Sequence, residues 1–206
     1  LSRSTSLIAR ALGRAPVPGW LAGRAVDGTV QIDDLLLAGC HFYNLRAHLL
    51  WDVTRLEFDG IQAKLDRAAI TGKLAVSLRT TRPSYNLTAK VKGLDWQGGK
   101  LDADGTLETS GTGSQLLANL TSEGTFTGVA LDFGTPDPWR SISGSYNLAW
   151  LQTVPRLRLT GLNLRTGDET YTGRGATLDD GRLAILLTSG SKELRMSGTL
   201  AKLKVE

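Results

Sequence analysis

The sequence has few of the residues that most often build active sites and covalent cross-links. It contains one cysteine, Cys40, so an internal disulfide is excluded. There are only two histidines, His41 and His48, and aromatic residues make up 6% of the chain. No apolar run approaches the roughly 20 residues that a membrane-spanning helix needs, and no signal peptide is recognisable. Because the first residue is Leu1, we expect a part of a longer protein, with any signal or anchor outside it.

The net charge of +4 comes from one end of the chain. Residues 1–24 contain Arg3, Arg10, Arg14 and Arg24 and no acidic residue, so basic and acidic residues balance in the remainder. No basic stripe with interleaved aromatic residues runs along the chain, as a phosphate-binding face would require. We therefore expect no nucleic-acid partner.

The first 27 residues differ from the rest. Ser4 or Thr5 can cap a short helix with Leu7, Ile8, Ala11 and Leu12 on one face, ending at Gly13. The segment "APVPGW" follows and ends the helix, because proline cannot continue it. Residues 1–27 are thus predicted to be an amphipathic helix and a linker. The helix either caps the following domain or lies on an anionic membrane surface.

Residues 28–206 alternate apolar and polar residues in segment after segment, which predicts β-strands with one apolar face. On the order of a dozen strands are separated by evenly spaced turn signals, as in an all-β meander. Asp59-Gly60 is predicted to be a two-residue hairpin turn, residues 66–69 a four-residue turn, and residues 102–105 a further turn. Residues 114–120 predict one short helix capped by Ser114. Recurrent Asp-Gly and Gly-Leu-Asp/Asn segments are a weak internal repeat, or simply the common appearance of hairpins.

No constellation of residues predicts catalysis, a metal site or a cofactor. Cys40, His41 and His48 could imitate a metal cluster, but Cys40 and His41 are adjacent and point to opposite sides of a strand. The paired carboxylates Asp33-Asp34 and Asp179-Asp180 lie in sequence contexts typical of turns. The glycine-rich segment at 172–177 lacks the lysine and the following helix of a phosphate loop. We expect a non-catalytic protein.

The apolar face of so many strands needs a cover, and the predicted helices are too short to provide one. A closed sandwich or barrel would cover itself, whereas a curled, open half-barrel would present an apolar trough suited to acyl chains. The fold class is therefore predicted to be mainly β, a long twisted antiparallel sheet curled into an open groove or half-barrel with one or two short helices. The candidate groove lining is the alternating set Val30, Ile32, Leu45, Leu49, Trp51, Ile61, Leu65, Leu74, Val76 and Leu78.

Four stretches of residues 7 to about 130 resemble the C-terminal region of AsmA-like proteins of the bacterial envelope. They are "PVPGWLAGRAVDGTVQIDDLLLAG" with the helix before it, "HFYNLRAHLLWDVTRLEFDGIQAKLDRAAITGKLAVSL", "PSYNLTAKVKGLDW" and "SQLLANLTSEGTFTG". The group includes the TamB and YhdP types of β-groove lipid-transfer protein.

The resemblance implies a periplasmic protein that is tethered to the inner membrane by a segment outside this chain. It also implies a phospholipid or another acyl-chain lipid as the ligand, with neighbouring β segments of the full-length protein as further partners. The implied function is phospholipid transfer in outer-membrane biogenesis. The alternative is a closed β-scaffold that acts as a structural or interaction module in outer-membrane protein assembly.

Overall fold

The computed structural model describes residues 25–37, 40–52, 54–80, 82–134, 138–151, 154–199 and 202–206. These residues form one antiparallel sheet of 13 strands. The first seven are β1 (Val26–Leu37), β2 (Cys40–Trp51), β3 (Arg55–Leu65), β4 (Ala68–Ser77), β5 (Ser84–Trp96), β6 (Gly99–Ser110) and β7 (Thr121–Leu131). The others are β8 (Trp139–Leu151), β9 (Val154–Thr166), β10 (Glu169–Thr177), β11 (Leu183–Ser189), β12 (Lys192–Thr199) and β13 (Lys202–Val205).

The strands follow one another in the sheet in the same order as in the chain. Each pairs antiparallel with its neighbours, and β1 and β13 form the two edges without pairing with each other in the described part of the chain. The sheet is therefore an open meander that is not closed into a barrel. The prediction of a mainly β protein built on a long, open antiparallel sheet is confirmed.

One short helix, α1 (Gln115–Ala118), lies between β6 and β7, as the sequence predicts. Ser114 precedes it but makes no side-chain capping hydrogen bond, so this detail of the prediction is wrong. The backbone of Ser114 has φ −66° and ψ −22°, which is already helical, whereas a capping residue normally takes β-region dihedrals. The predicted N-terminal helix lies outside the described residues, and β1 begins at Val26, near the predicted domain boundary.

The predicted hairpin turn at Asp59-Gly60 is wrong, because β3 continues through it. The register with β4 shifts between Phe58 and Ile61, and Gly60 has a φ of 61°, so the pair forms a β-bulge. A glycine with positive φ serves a bulge as well as a turn, and the local sequence does not distinguish the two. Gly93 and Gly161 occupy the same kind of register shift in β5 and β9. Such bulges bend the strand and increase its twist.

Three other predicted turns also change. Residues 102–105 lie inside β6, where apolar and polar alternation outweighs the turn preference of aspartate. Asp33-Asp34 lies inside β1, where both residues are exposed and the pairing with β2 continues through them. The predicted four-residue turn at 66–69 contains only residues 66–67, because Leu65 already pairs with Ala68. Asp179-Asp180 lies in a turn, as predicted.

The buried core lies towards the C-terminal end of the sheet. The completely buried large side chains are Leu131, Phe133, Trp139, Leu162, Leu164, Leu187 and Met196. A run of edge-to-face aromatic contacts joins Trp96, Phe133, Trp139 and Tyr171, with ring centroids 5.8, 6.5 and 5.6 Å apart. The last strand reaches this cluster, since the Val205 N–H donates to the Phe133 carbonyl oxygen at 3.1 Å. The C-terminal strands thus curl back onto the segment that follows β7.

Candidate functional site

Nine of the ten predicted groove residues lie on one face of the sheet, which we call the inner face. Pairing in register places Val30 opposite Ala47 and Ile32 opposite Leu45. Further along the sheet, Leu49 pairs with Phe58, which pairs with Leu74, and Trp51 pairs with Leu56, which pairs with Val76. Ile61 pairs with Gly72 and Leu65 with Ala68, while Leu78 follows the end of β4 and is half-buried. The alternating set therefore forms a continuous surface across β1 to β4.

The inner face contains further apolar residues that the candidate set left out. Those on β2 to β4 are Phe42, Ala47, Leu56, Phe58, Ala63, Ala68 and Ile70. The same face continues onto β5 and β6 through Leu87, Val91, Leu101 and Leu107. The alternation in "YNLTAKV" already indicated the β5 residues. The face on which residues next to a bulge lie could be assigned only from the strand register, because a bulge moves the alternation by one residue.

Burial along the inner face changes from one end of the sheet to the other. In β9 to β12, Leu162, Leu164 and Leu187 are 1%, 0% and 0% exposed. In β1 to β6 most large inner-face side chains, among them Leu49 and Leu87, are only half-buried. The neighbours Leu56 and Val76 are exceptions at 8% and 3% exposed, and Val76 lies between Leu56 and Tyr85. The apolar surface is therefore filled at the C-terminal end and uncovered at the N-terminal end.

A row of small residues crosses the inner face from β4 to β7. Gly72 pairs with Ala89, Ala89 with Gly105, and Gly105 with Gly124. The next residue in the row is Tyr146 on β8, and a Cβ at Gly105 would collide with its hydroxyl. The row spans three strand spacings of ~4.8 Å, or roughly 14 Å. Because the Tyr146 hydroxyl reaches Gly105, the tyrosine side chain lies over Gly124. The open part of the row is therefore a shallow channel from Gly72 to Gly105, with Ile61 next to its other end.

A cavity of about 180 Å³ lies at this channel. It is lined by Leu87, Ala89, Val91, Ala103, Gly105, Leu107 and Tyr146, among other residues. Its polar contributions include Ser122, whose hydroxyl donates to the Thr106 carbonyl oxygen at 2.8 Å. The cavity is suited to a narrow apolar group.

A second hollow, of about 660 Å³, lies where β3 to β6 end near α1. Most of its lining residues are of polar types, among them Arg55, Ser77, Ser84 and Glu108. The Asn86 side-chain amide donates to Glu108 at 2.8 Å. The inner-face residue Tyr85 borders it, and burial raises the pKa of this tyrosine. The Tyr85 hydroxyl has no hydrogen-bond partner among the described residues.

The two histidines lie on exposed parts of β2. His48 Nε2 is 2.6 Å from Asp27 Oδ1, and His41 Nδ1 is 3.4 Å from Asp34 Oδ1, so each joins β2 to β1. Cys40 is also exposed. Within the described ranges, no three side chains of the metal-ligating types come together. Each histidine therefore belongs to a cross-strand pair with an aspartate.

An ion pair joins β10 to β12 and is accompanied by a hydrogen bond within β10. Lys192 pairs with Glu169, and the Tyr171 hydroxyl donates to Glu169 Oε2 at 2.6 Å. The hydrogen bond from Lys192 holds the pKa of Glu169 below its ordinary value. The hydrogen bond to Glu169 raises the pKa of Tyr171. This cluster stabilises the protonated tyrosine beside the buried core.

None of the helices in the described part of the chain has the length and apolar character needed to cross a membrane. Comparisons with protein-family models, with curated protein sequences and with solved structures find no match to this chain.

Proposed function

We propose that the chain is a non-catalytic, lipid-binding groove domain of the AsmA-like type, acting in the bacterial periplasm. In this proposal the acyl chain of a phospholipid or similar lipid lies against the inner face of β1 to β6. The full-length protein would be tethered to the inner membrane by another segment, and would transfer lipid towards the outer membrane. The family and the location come from the sequence resemblance, and the binding face comes from the fold.

The uncovered inner face of β1 to β6 carries the proposal. Large apolar side chains such as Leu49, Leu74 and Leu87 stay half-buried there, although the equivalent face of β9 to β12 is filled. A continuous apolar surface in contact with water is unfavourable unless something covers it. An acyl chain fits because it needs apolar area and few directional contacts.

The channel of small residues supports a linear ligand. Because Gly72, Ala89 and Gly105 have little or no side chain, a chain about one methylene wide can lie between the larger residues on either side. Leu74, Leu87 and Leu107 form one flank of the channel, each two residues from a member of the row. Tyr146 and Ile61 stand at its two ends, so the ligand would reach the channel from the open side of the inner face.

The free energy gained by burying an acyl chain is large enough for the inner face to bind a lipid. Burial gains about 0.8 kcal/mol per methylene, so a tail of about fifteen carbons gains roughly 12 kcal/mol before the costs of association. The loss of translational and rotational freedom offsets much of this gain. A uniform apolar surface also has no directional contacts to hold the tail at one position, which suits transfer along the sheet.

A blocking substitution in the channel tests the proposal. Ala89→Trp places a large ring in the row, whereas Ala69→Trp places the same ring on the exposed outer side of β4. We expect the wild type and Ala69→Trp to take up a fluorescent phospholipid and to carry lipid visible by native mass spectrometry. Ala89→Trp should bind at least tenfold more weakly with an unchanged far-UV circular dichroism spectrum.

Two results would contradict the proposal. The first is a wild-type chain that takes up no lipid under conditions in which it is folded. The second is equal uptake by the two tryptophan variants, which would move the binding surface away from the channel. Val76→Asp is a poor probe, because Val76 is 3% exposed and a buried charge there would unfold the sheet. A folded protein without lipid uptake would favour the alternative, a structural or interaction module.

A further inference from the structure

The outer face of β9 to β12 carries a hollow of about 670 Å³ on the side opposite the buried core. In its central row, Arg174 on β10 pairs with Leu186 on β11, which pairs with Arg195 on β12. Arg158 on β9 lies in the adjacent row, opposite Ala176. Directly opposed residues have Cβ atoms ~5 Å apart, so Leu186 lies between two arginine side chains.

The hollow is strongly basic. Arg158 and Arg174 have no acidic partner among the described residues. Arg195 is paired with Glu193 at 2.8 Å, but this pair is solvent-exposed, so little energy opposes its rearrangement. The acidic group in the lining is Glu206, which accepts a hydrogen bond from Ser197. The three arginines are separated by at least 16 residues in the sequence, the distance from Arg158 to Arg174. Only the register of the sheet brings them together.

The same hollow is also apolar at its centre. Leu186 is 37% exposed and Leu178, also in the lining, is 42% exposed. A site for a soluble anion gains nothing from leucine side chains in water, whereas the boundary of a lipid bilayer accepts both groups. Arginine binds phosphate at the headgroup level, and leucine enters the apolar region just below.

We propose that this outer face docks on the surface of a bilayer containing anionic phospholipid. Arg158, Arg174 and Arg195 contact the headgroup phosphates, and Leu178 and Leu186 insert between the headgroups. The inference is independent of lipid binding on the inner face, because the two surfaces lie on opposite sides of the sheet.

Vesicle co-sedimentation of the full chain tests the docking surface. We expect binding to vesicles of phosphatidylcholine with about one-third phosphatidylglycerol, weak binding to phosphatidylcholine alone, and weakening as salt rises, because screening shortens the range of the attraction. Each basic residue at an anionic surface contributes about fivefold in affinity, so Arg174→Gln with Arg195→Gln should weaken binding roughly 25-fold. Leu186→Ser alone should weaken binding severalfold at unchanged charge.

The matched control is Lys90→Gln with Lys92→Gln, which removes the same charge from exposed positions on β5. It should bind the anionic vesicles nearly as well as the wild type. Ala89→Trp should also keep vesicle binding, which separates docking from acyl-chain uptake on the inner face. Conversely, the double arginine variant should keep its uptake of fluorescent phospholipid. Circular dichroism checks that each variant is folded.

Several results would overturn the docking proposal. One is equal binding of the wild type to neutral and anionic vesicles. Another is an equal loss in the lysine control and the double arginine variant, which would indicate a general charge effect. Displacement from vesicles by millimolar inorganic phosphate at constant ionic strength would indicate a site for a soluble anion. Binding of an oligonucleotide but not of vesicles would assign the face to a different polyanion.

Discussion

The clearest prediction compares two leucines that have similar neighbours in the sheet but are buried to different extents. Leu164 lies between Ile142 and Tyr171 and is 0% exposed. Leu87 lies between Leu74 and Leu107 and is half-buried. Replacing each with alanine removes the same atoms, so the difference in stability measures what covers each face.

The magnitudes follow from burial. At Leu164 the lost transfer energy is about 2.4 kcal/mol for three methylene equivalents, and the cavity that remains brings the cost to about 3–4 kcal/mol. At Leu87 the removed atoms are partly in water already and the space opens to solvent, so we expect about 1–1.5 kcal/mol. The two variants should therefore differ by roughly 2 kcal/mol in the free energy of unfolding.

Urea unfolding at several protein concentrations, followed by far-UV circular dichroism, measures this difference. The urea dependence of the free energy should stay the same between variants, so that midpoints can be compared. Equal losses of stability for the two substitutions would refute the reasoning, because they would mean that the inner face near Leu87 is covered in solution. A concentration-dependent midpoint would then identify a second copy of the chain as the cover.

Two other predictions concern the backbone and pH. Gly60→Ala should destabilise the sheet by about 1–2 kcal/mol in urea unfolding, because the φ of 61° is unfavourable for alanine. The control Gly28→Ala, at an unstrained and open position, should be neutral or slightly stabilising. Equal effects of the two substitutions would contradict the role of the bulge. The pKa of Glu169 is lowered from 4.5 by its pairing with Lys192, so the pair's contribution to folding stability is present above about pH 4.5 and is lost as pH falls through the lower folded-state pKa. Glu169→Gln should therefore reduce the loss of stability that the folded protein shows on acidification. An unchanged loss in this variant would exclude the pair as its source.

The sequence predicts the fold class because alternation repeats in nearly every strand. Segments such as "YNLRAHLLW" indicate both the strand and its apolar face without reference to the rest of the chain. The strand boundaries around glycine are less predictable, since Asp59-Gly60 satisfies a turn and a bulge equally well. Only pairing with β2 and β4, which continues on both sides of Gly60, decides between them.

The candidate site could be predicted in part. The alternating leucines and valines of β1 to β4 identify the inner face, but not the small-residue channel, which needs Gly72, Ala89 and Gly105 to align across three strands. The basic outer face shows the same limit. No basic stripe runs along the chain, yet the register collects Arg174 and Arg195 on either side of Leu186. Long-range register is a property of the sheet and not of any local segment.

Because the 13 strands follow one another in chain order, the length of the sheet and the width of its inner face can change independently. Inserting or deleting one hairpin would change the length of the sheet by roughly 10 Å, since each strand adds ~4.8 Å. The width of the inner face would not change, because it depends on strand length and on where bulges such as that at Gly60 bend the strands. Duplication of hairpins could therefore alter the distance that such a sheet spans while its cross-section stays constant. In this respect the sheet resembles a repeat protein whose repeating unit is one hairpin.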